Sequence, residues 1–254
     1  MFLVAVIALG SSVEAEAPAL AADLGQTAYE ARLLLVDDPP SVVLRAPERE
    51  KALALVASLR GRGHDVVACD AAAVVPFASM IEVDAFTDDG TTLHCGEAEL
   101  PWADVAAMIR VTLRRTWQTT KKETKRELAV GMAIATGGVI LSKKVTKTHT
   151  ENHENREQLL CVFRRNGPPW IVAETGVEWS SVPGELGRTV TENFDRLVAH
   201  FRARTTAPYD DRFVRSKRVA NDRAAVQFLE ERVHLLALAL AKKSWNAALP
   251  PRVQ

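Results

Sequence analysis

Two histidines four residues apart, His149 and His153, have a spacing that could bind a metal ion. Residues i and i+4 of a helix share a face, where two imidazoles can ligate zinc. The surrounding stretch 146–155 is polar and typical of a loop, however, and the chain contains neither a His-Glu-x-x-His nor a Cys-x-x-Cys motif. The sequence therefore predicts no metal site.

Motifs for covalent or nucleotide chemistry are also missing. The chain contains no Gly-x-Ser-x-Gly and no Gly-x-Gly-x-x-Gly, and no Lys-Ser or Lys-Thr follows Gly137 and Gly138 at the spacing of a phosphate-binding loop. Residues brought together from distant segments leave no such trace, so an enzyme ranks third among the functions considered. We predict a non-enzymatic protein without a cofactor.

The distribution of charge is the feature that points to binding. The chain contains 32 Lys or Arg and 32 Asp or Glu. The stretch from Arg110 to Lys147, however, contains ten Lys or Arg and only two acidic residues, Glu123 and Glu127. A neutral total therefore conceals a basic segment. The predicted partner- or anion-binding residues are Arg114, Arg115, Lys121, Lys122, Lys125, Arg126, Lys143, Lys144 and Lys147.

An apolar stretch, residues 128–141, lies within this basic segment and is interrupted only by Thr136. It is too short to span a bilayer and long enough to lie in its interface. Three interpretations stay open: shallow insertion into an anionic membrane surface, contact with a protein partner, or a buried helix or hairpin with a solvated basic face. Trp117 is the one aromatic residue in 110–147, which argues against nucleic acid because single strands need stacking platforms.

Residues 1–72 contain the pattern strand, helix, strand, helix, strand. The first helical stretch is expected to start near Pro18, and it contains apolar residues at near-helical spacing, namely Leu20, Leu24, Tyr29, Leu33 and Val36. Gly25 is predicted to divide this stretch, with Thr27 and Glu30 forming a capping box for its second half. The spacing Leu24-Gly25-x-Thr27-x-x-Glu30-Ala31-x-x-Leu34, the strand after Pro40 and the helix running from Leu53 to Gly63 resemble the C-terminal domain of the bacterial ribosomal stalk protein and the adaptor of the Clp protease. The resemblance implies a domain that docks on protein partners.

Residues 78–206 change to a period of two, with turn residues between strands and a closing amphipathic helix. The last strand before that helix is expected near 177–180. The strand at Trp102, the hairpin around Asn166-Gly167-Pro168-Pro169-Trp170 and the helix containing Asn193-Phe194-x-x-Leu197-Val198 resemble a bacterial pleckstrin-homology-like barrel. Within this barrel-like domain, residues 114–147 are predicted to form an excursion, that is, a basic and apolar segment that leaves the barrel. Residues 207–254 are predicted as a connector, 208–212, and a C-terminal amphipathic helix, 216–243.

The predicted fold class is thus α+β: a small βαβαβ-type domain at 1–72, a mostly antiparallel barrel-like domain at 78–206, and a C-terminal helix. Three widely spaced cysteines indicate reduced thiols, and the short apolar run 2–9 has no preceding basic residue, so we predict a strand there and a cytoplasmic, bacterial-type protein. The favoured function is a non-catalytic adaptor or scaffold for a protein partner. The alternative is a peripheral membrane-binding protein at the inner membrane face.

Overall fold

The computed structural model describes residues 1–36, 39–128, 142–215 and 220–241. The first third of the chain forms β1 (Phe2–Ala8), α1 (Val13–Leu24), α2 (Ala28–Leu35), β2 (Ser41–Ala46), α3 (Arg49–Gly61) and β3 (Asp65–Asp70). The remainder forms β4 (Ile81–Glu82), β5 (Thr87–Asp88), β6 (Thr92–Cys95), β7 (Ala98–Pro101), β8 (Val105–Leu128), β9 (Ser142–Arg164), β10 (Trp170–Ala173), α4 (Val190–Arg204), β11 (Tyr209–Phe213) and α5 (Arg223–Leu240).

The first unit is an antiparallel sheet of order β2-β1-β3 with α1, α2 and α3 packed on one face. The predicted order of elements is confirmed, and so are the break at Gly25, which has φ +66°, and the capping box of Thr27 and Glu30. The expectation that the first helix starts near Pro18 is wrong. Ser12 caps α1 instead, because its hydroxyl accepts the Ala15 N–H, and Pro18 lies inside the helix.

The remaining strands form two further sheets. A mixed five-stranded sheet has the order β11-β8-β9-β10-β4, with parallel outer pairs, and β5, β6 and β7 form a three-stranded antiparallel meander. The α+β class is confirmed. Because the described strands form three separate hydrogen-bonded sheets, the predicted barrel is not confirmed.

Alternation along the strands gives the five-stranded sheet two buried faces. Met108 and Leu160 belong to a core that includes Phe194 and Phe201 of α4 and Leu93 of the meander. Their neighbours Ile109 and Cys161 lie on the opposite face and contribute to a second core. The closing helix α4, with Phe194, Leu197, Val198 and Phe201 on its buried side, is confirmed as predicted.

Helix α5 lies between the first sheet and the five-stranded sheet. Its residues Val233 and Leu236 are fully buried in the core that also holds Leu3 of β1 and Ile109 of β8. This helix corresponds to the predicted helix 216–243, of which residues 216–219 and 242–243 lie outside the described part of the chain. Within the described part it spans only Arg223–Leu240. It begins after Asp222, whose carboxylate caps the Ala225 N–H.

Four local expectations are wrong. Residues 209–212 of the predicted connector 208–212 belong to β11, which pairs in parallel with β8. A strand expected near 177–180 is replaced by a 3₁₀ turn at Trp179–Ser181. The expected loop 146–155 lies within β9, and the expected interruption after Leu113 is a continuation of β8. Cross-strand hydrogen bonding outweighs the polar composition that favours a loop in these stretches.

Candidate functional site

The hairpin formed by β8 and β9 extends far beyond the sheet to which it belongs. β11 pairs with β8 only around Met108 to Val111, and β10 pairs with β9 only around Leu159 to Val162. The two strands continue to pair with each other as far as Leu128 and Ser142. Segments 114–128 and 142–156 thus form a two-stranded ribbon, which at ~3.3 Å per residue is about 45 Å long. We call this ribbon the arm.

The base of the arm is held at both outer edges. On the β8 side, the Ala220 N–H donates to the Arg114 carbonyl at 2.8 Å, and the Thr116 N–H donates to Asn221 Oδ1 at 2.7 Å. On the β9 side, the Glu174 N–H donates to the Gln158 carbonyl at 2.8 Å. These bonds orient the arm by hydrogen bonding it to segments on either side of the five-stranded sheet.

A polar cluster around Arg110 connects the arm base to α4. The Arg110 guanidinium donates to Gln158 on β9 and to Asp195 on α4, and it lies 5.3 Å from the centre of the Phe194 ring. Glu174 is buried and accepts the Thr191 hydroxyl at 2.9 Å. Charged hydrogen bonds of this kind are stronger than neutral ones, so the arm leaves the body from a well-determined base.

All nine predicted binding residues belong to the arm. Six lie on β8 and three on β9; they are Arg114, Arg115, Lys121, Lys122, Lys125, Arg126, Lys143, Lys144 and Lys147. Register places Arg126 directly opposite Lys144, Glu127 opposite Lys143, and Glu123 opposite Lys147. Of the apolar stretch 128–141, residues 129–141 lie outside the described part of the chain.

The arm carries a charge that the rest of the chain balances. Residues 114–156 contain ten Lys or Arg and four Glu, a net charge of +6, so the remaining residues carry −6. Seven of the ten cations lie between positions 121 and 147, toward the arm's distal end. The arm therefore presents a strong positive field far from the compensating carboxylates of the body.

The arm also has two strand edges for which the described chain provides no sheet partner beyond its base. A two-stranded ribbon without a third strand or a packed helix is only marginally stable in water. Free edges are usually covered or blocked by charged residues, lysine above all. The lysine-rich sequence of the arm fits this pattern and argues that the arm is built to remain accessible.

A second exposed surface lies on α2 and at its C-terminal end, and the sequence did not predict it. Tyr29, Leu33 and Val36 are 67%, 53% and 60% exposed, although their spacing suggested that they belonged to the buried stripe. The core is instead contacted by Ala31 and Leu35. Two apolar stripes on one short helix were the available signal, because only one of them can face the sheet. We call the exposed set the α2 stripe.

The thiols and the metal-binding candidates contribute no site among the described residues. Cys69, Cys95 and Cys161 are free; burial raises the pKa of the Cys69 thiol to about 12 and also raises the pKa of the other two. Such thiols are poor nucleophiles. Throughout the described ranges, no group of three His, Cys, Asp or Glu residues is arranged to hold a metal ion, and no helix is long and apolar enough to cross a bilayer.

Comparisons with protein-family models, curated proteins and solved structures found no match for this chain. The resemblances to the stalk-protein domain and to the pleckstrin-homology-like barrel therefore stay predictions. The arm and the α2 stripe are the two features of the described residues that bear on function.

Proposed function

We propose that this chain is a non-catalytic, peripheral membrane-binding protein that docks through its arm onto an anionic membrane surface, on the cytoplasmic side. The observation that carries the proposal is the position of the cations. The predicted binding residues all belong to one projecting ribbon, and its strands end at Leu128 and Ser142. These residues directly flank segment 129–141, which contains no charged residue in its sequence.

The charge of the distal arm is large enough to matter. Between positions 121 and 147 the net charge is +5. Each Lys or Arg near an anionic leaflet contributes about 1 kcal/mol, so the distal arm supplies roughly 5 kcal/mol, or between three and four orders of magnitude in affinity. A single weak anchor gives only marginal membrane binding, whereas a basic cluster combined with an apolar segment gives stable attachment. The arm supplies the basic cluster, and the sequence 129–141 that follows its strand ends supplies the apolar segment.

Co-sedimentation with vesicles tests this function. The full chain is mixed with phosphatidylglycerol-containing vesicles and with pure phosphatidylcholine vesicles, at low and at high salt. We expect pelleting with the anionic vesicles that weakens as salt screens the charges. A variant with 129–141 replaced by a Gly-Ser linker should retain only the salt-sensitive part of the binding. No pelleting of the wild-type protein at low salt would overturn the proposal.

A second candidate function, a protein-binding adaptor, is supported by the α2 stripe. Tyr29 and Leu33 on α2 and Val36 at its C-cap are exposed large apolar residues, and clustered exposed apolar residues are a common mark of a protein interface. The two functions are compatible, since the arm and the stripe belong to different parts of the chain.

The adaptor candidate is tested with Leu33→Asp. This change should leave the free energy of unfolding within about 0.5 kcal/mol of the wild-type value because Leu33 is exposed. A partner isolated with the wild-type protein should lose affinity at least tenfold for this variant. It should retain its affinity for a variant with arm lysines replaced by glutamine. Equal affinity for the wild-type protein and Leu33→Asp would exclude the stripe as the interface.

A further inference from the structure

The register of the arm determines which residues share each of its two faces. β8 and β9 pair without a shift from Ala107 opposite Phe163 to Leu128 opposite Ser142. In an antiparallel ribbon, directly opposed residues lie on the same face, and residues two apart along a strand do so as well. The even-numbered positions of the arm therefore occupy one face, and the odd-numbered positions occupy the other.

The base of the hairpin supports this assignment independently. The even-numbered Met108 of β8 and Leu160 of β9 lie in one core. The odd-numbered Ile109 and Cys161 of the same strands lie in the other core. Because no register shift intervenes between these residues and Leu128, the same alternation continues along the arm.

The two faces differ sharply in composition beyond position 117. The even face has three cations, Lys122, Arg126 and Lys144, and no carboxylate from position 118 to 128 or from 142 to 152. Its remaining positions from 118 to 124 and from 146 to 152 are Thr, Gln or Asn. The odd face has four lysines together with Glu123, Glu127 and Glu151. Its lysines thus have carboxylates on the same face, and the three distal cations of the even face have none between 118 and 128 or between 142 and 152. The one even-face carboxylate of the arm, Glu154, lies nearer the base and pairs with Arg114 and Arg156.

The even face contains a pair of opposed cations, Arg126 and Lys144, whose repulsion a bound anion would reduce. Arg126 is directly opposite Lys144, and Lys122 lies four residues away, about 13 Å along the strand. Directly opposed like charges destabilise a strand pair. The neighbouring positions on this face are Thr124, Thr146 and Ser142, so the register places no carboxylate beside the pair. An anion with several acceptor oxygens would relieve the repulsion.

We propose that the even face of the arm, centred on Lys122, Arg126 and Lys144, is the surface that lies against the phosphates of anionic lipid head groups. This inference rests on the proposed membrane function and adds to it the face and the ligand chemistry. Phosphate suits the site because arginine, lysine and hydroxyl groups all donate hydrogen bonds to its oxygens. A lipid surface is favoured over single-stranded nucleic acid because the even face has no aromatic residue on which a base could stack. It is favoured over a duplex because the face ends beside the charge-free sequence 129–141, which suits an apolar bilayer interface.

Two triple variants of equal charge test the assignment. K122Q/R126Q/K144Q removes the three cations of the even face, and K121Q/K125Q/K147Q removes three from the odd face. We expect the even-face variant to bind phosphatidylglycerol vesicles on the order of 100-fold more weakly than the wild-type protein. The odd-face variant should lose less than about tenfold in vesicle affinity, since the cations that it removes lie roughly a Debye length farther from the membrane surface. Circular dichroism and the unfolding midpoint confirm that both variants keep the fold.

A second pair of variants probes the faces without removing a cation. T146E places a carboxylate on the even face, and V145E places one on the odd face at the adjacent position. The first should weaken vesicle binding more than the second, by about tenfold. Soluble glycerophosphate should compete only weakly, because the proposed ligand is a surface of many head groups.

The outcomes separate the face assignment from the membrane function. Equal losses for the two triple variants, with wild-type binding intact, would overturn the face assignment and leave the membrane function standing. A wild-type protein that fails to bind vesicles would overturn both. Binding to a DNA duplex with the same dependence on the even face, and stronger than to vesicles, would assign the face to nucleic acid instead.

Discussion

Replacing Asp88 with asparagine is expected to loosen the contact between the β5–β7 meander and α4. The Asp88 side chain is 1% exposed. Its carboxylate accepts the Gly90 N–H at 2.8 Å, the Trp102 indole N–H at 3.0 Å and the Arg204 Nε–H at 2.7 Å, and it lies 2.8 Å from His200 Nε2. Asparagine has nearly the same shape, so the change tests the charge and the acceptor capacity alone.

The expected cost follows from these partners. Asparagine retains one acceptor oxygen, while its amide group would face donors from α4 and leave the Arg204 charge without its counterion. Removing one partner of a fully buried pair costs about 3–5 kcal/mol. Arg204 is 38% exposed and can regain water, which places the expected loss near the lower limit, about 3 kcal/mol. In a chain of this size that corresponds to a fall in Tm of roughly 6–12 °C.

The loss should depend on pH. Burial tends to raise the pKa of Asp88, but the hydrogen bonds from Trp102 and Gly90 and the charge of Arg204 outweigh it and hold this pKa below its ordinary value. The stabilisation is therefore present above the unfolded pKa of about 4 and is lost as pH falls through the folded pKa. The Tm difference between wild type and variant should shrink toward acidic pH.

Differential scanning calorimetry at neutral pH and at about pH 3 measures both quantities, with Asp65→Asn, at an exposed position, as the matched control. A Tm within about 2 °C of wild type at neutral pH would refute the argument that Asp88 connects the meander to α4. A difference that does not change with pH would refute its electrostatic part.

Three further changes test other parts of the fold. Burial raises the pKa of Glu230, so its charged form opposes folding as pH rises, and Glu230→Gln should raise the urea midpoint near pH 7 but not near pH 4. Gly10→Ala should destabilise by about 1–3 kcal/mol in urea unfolding, because its Cβ would lie 2.4 Å from the Gly63 carbonyl oxygen. Asn221→Ala removes two hydrogen bonds to Thr116 and should speed hydrogen exchange there by about 5- to 30-fold.

Each of these changes has a contrasting measurement. Gly61→Ala meets no atom within 4 Å and should be neutral or slightly stabilising, so equal losses for Gly10→Ala and Gly61→Ala would argue against the clash. Faster exchange in β10 as well as at Thr116 would mean that Asn221→Ala acts on the whole sheet. A Glu230→Gln midpoint that falls near pH 7 would show that the hydrogen bond to the Phe77 N–H outweighs the cost of burial.

Local signals in the sequence predicted much of the first unit and the closing helix. Gly25, the Thr27–Glu30 capping box and the Phe194 stripe each act through residues a few positions apart, so a single chain segment contains the whole cause. The clustering of basic residues is likewise a property of the sequence alone. The arm residues could therefore be identified as one basic cluster from the sequence, and whether they bind a partner stays a prediction.

The shape of that charged set could not be read from the sequence. Residues 114–128 and 142–156 are polar enough for loops, and only their pairing with each other makes them strands. The same holds for β11, whose partner β8 lies about a hundred positions away. Strand pairing depends on residues remote in sequence, and composition carries little information about it.

The sequence by itself determined the local elements of this protein, the neutral total charge and the basic segment within it. The tertiary structure decided that the basic segment forms an arm, that the distal part of the arm has one face without carboxylates and one mixed face, and that Leu33 is exposed while Leu35 is buried. The physical reason is the same in each case. Helix caps and charge clusters are set by neighbours along the chain, whereas strand register and burial are set by whichever distant segment packs alongside.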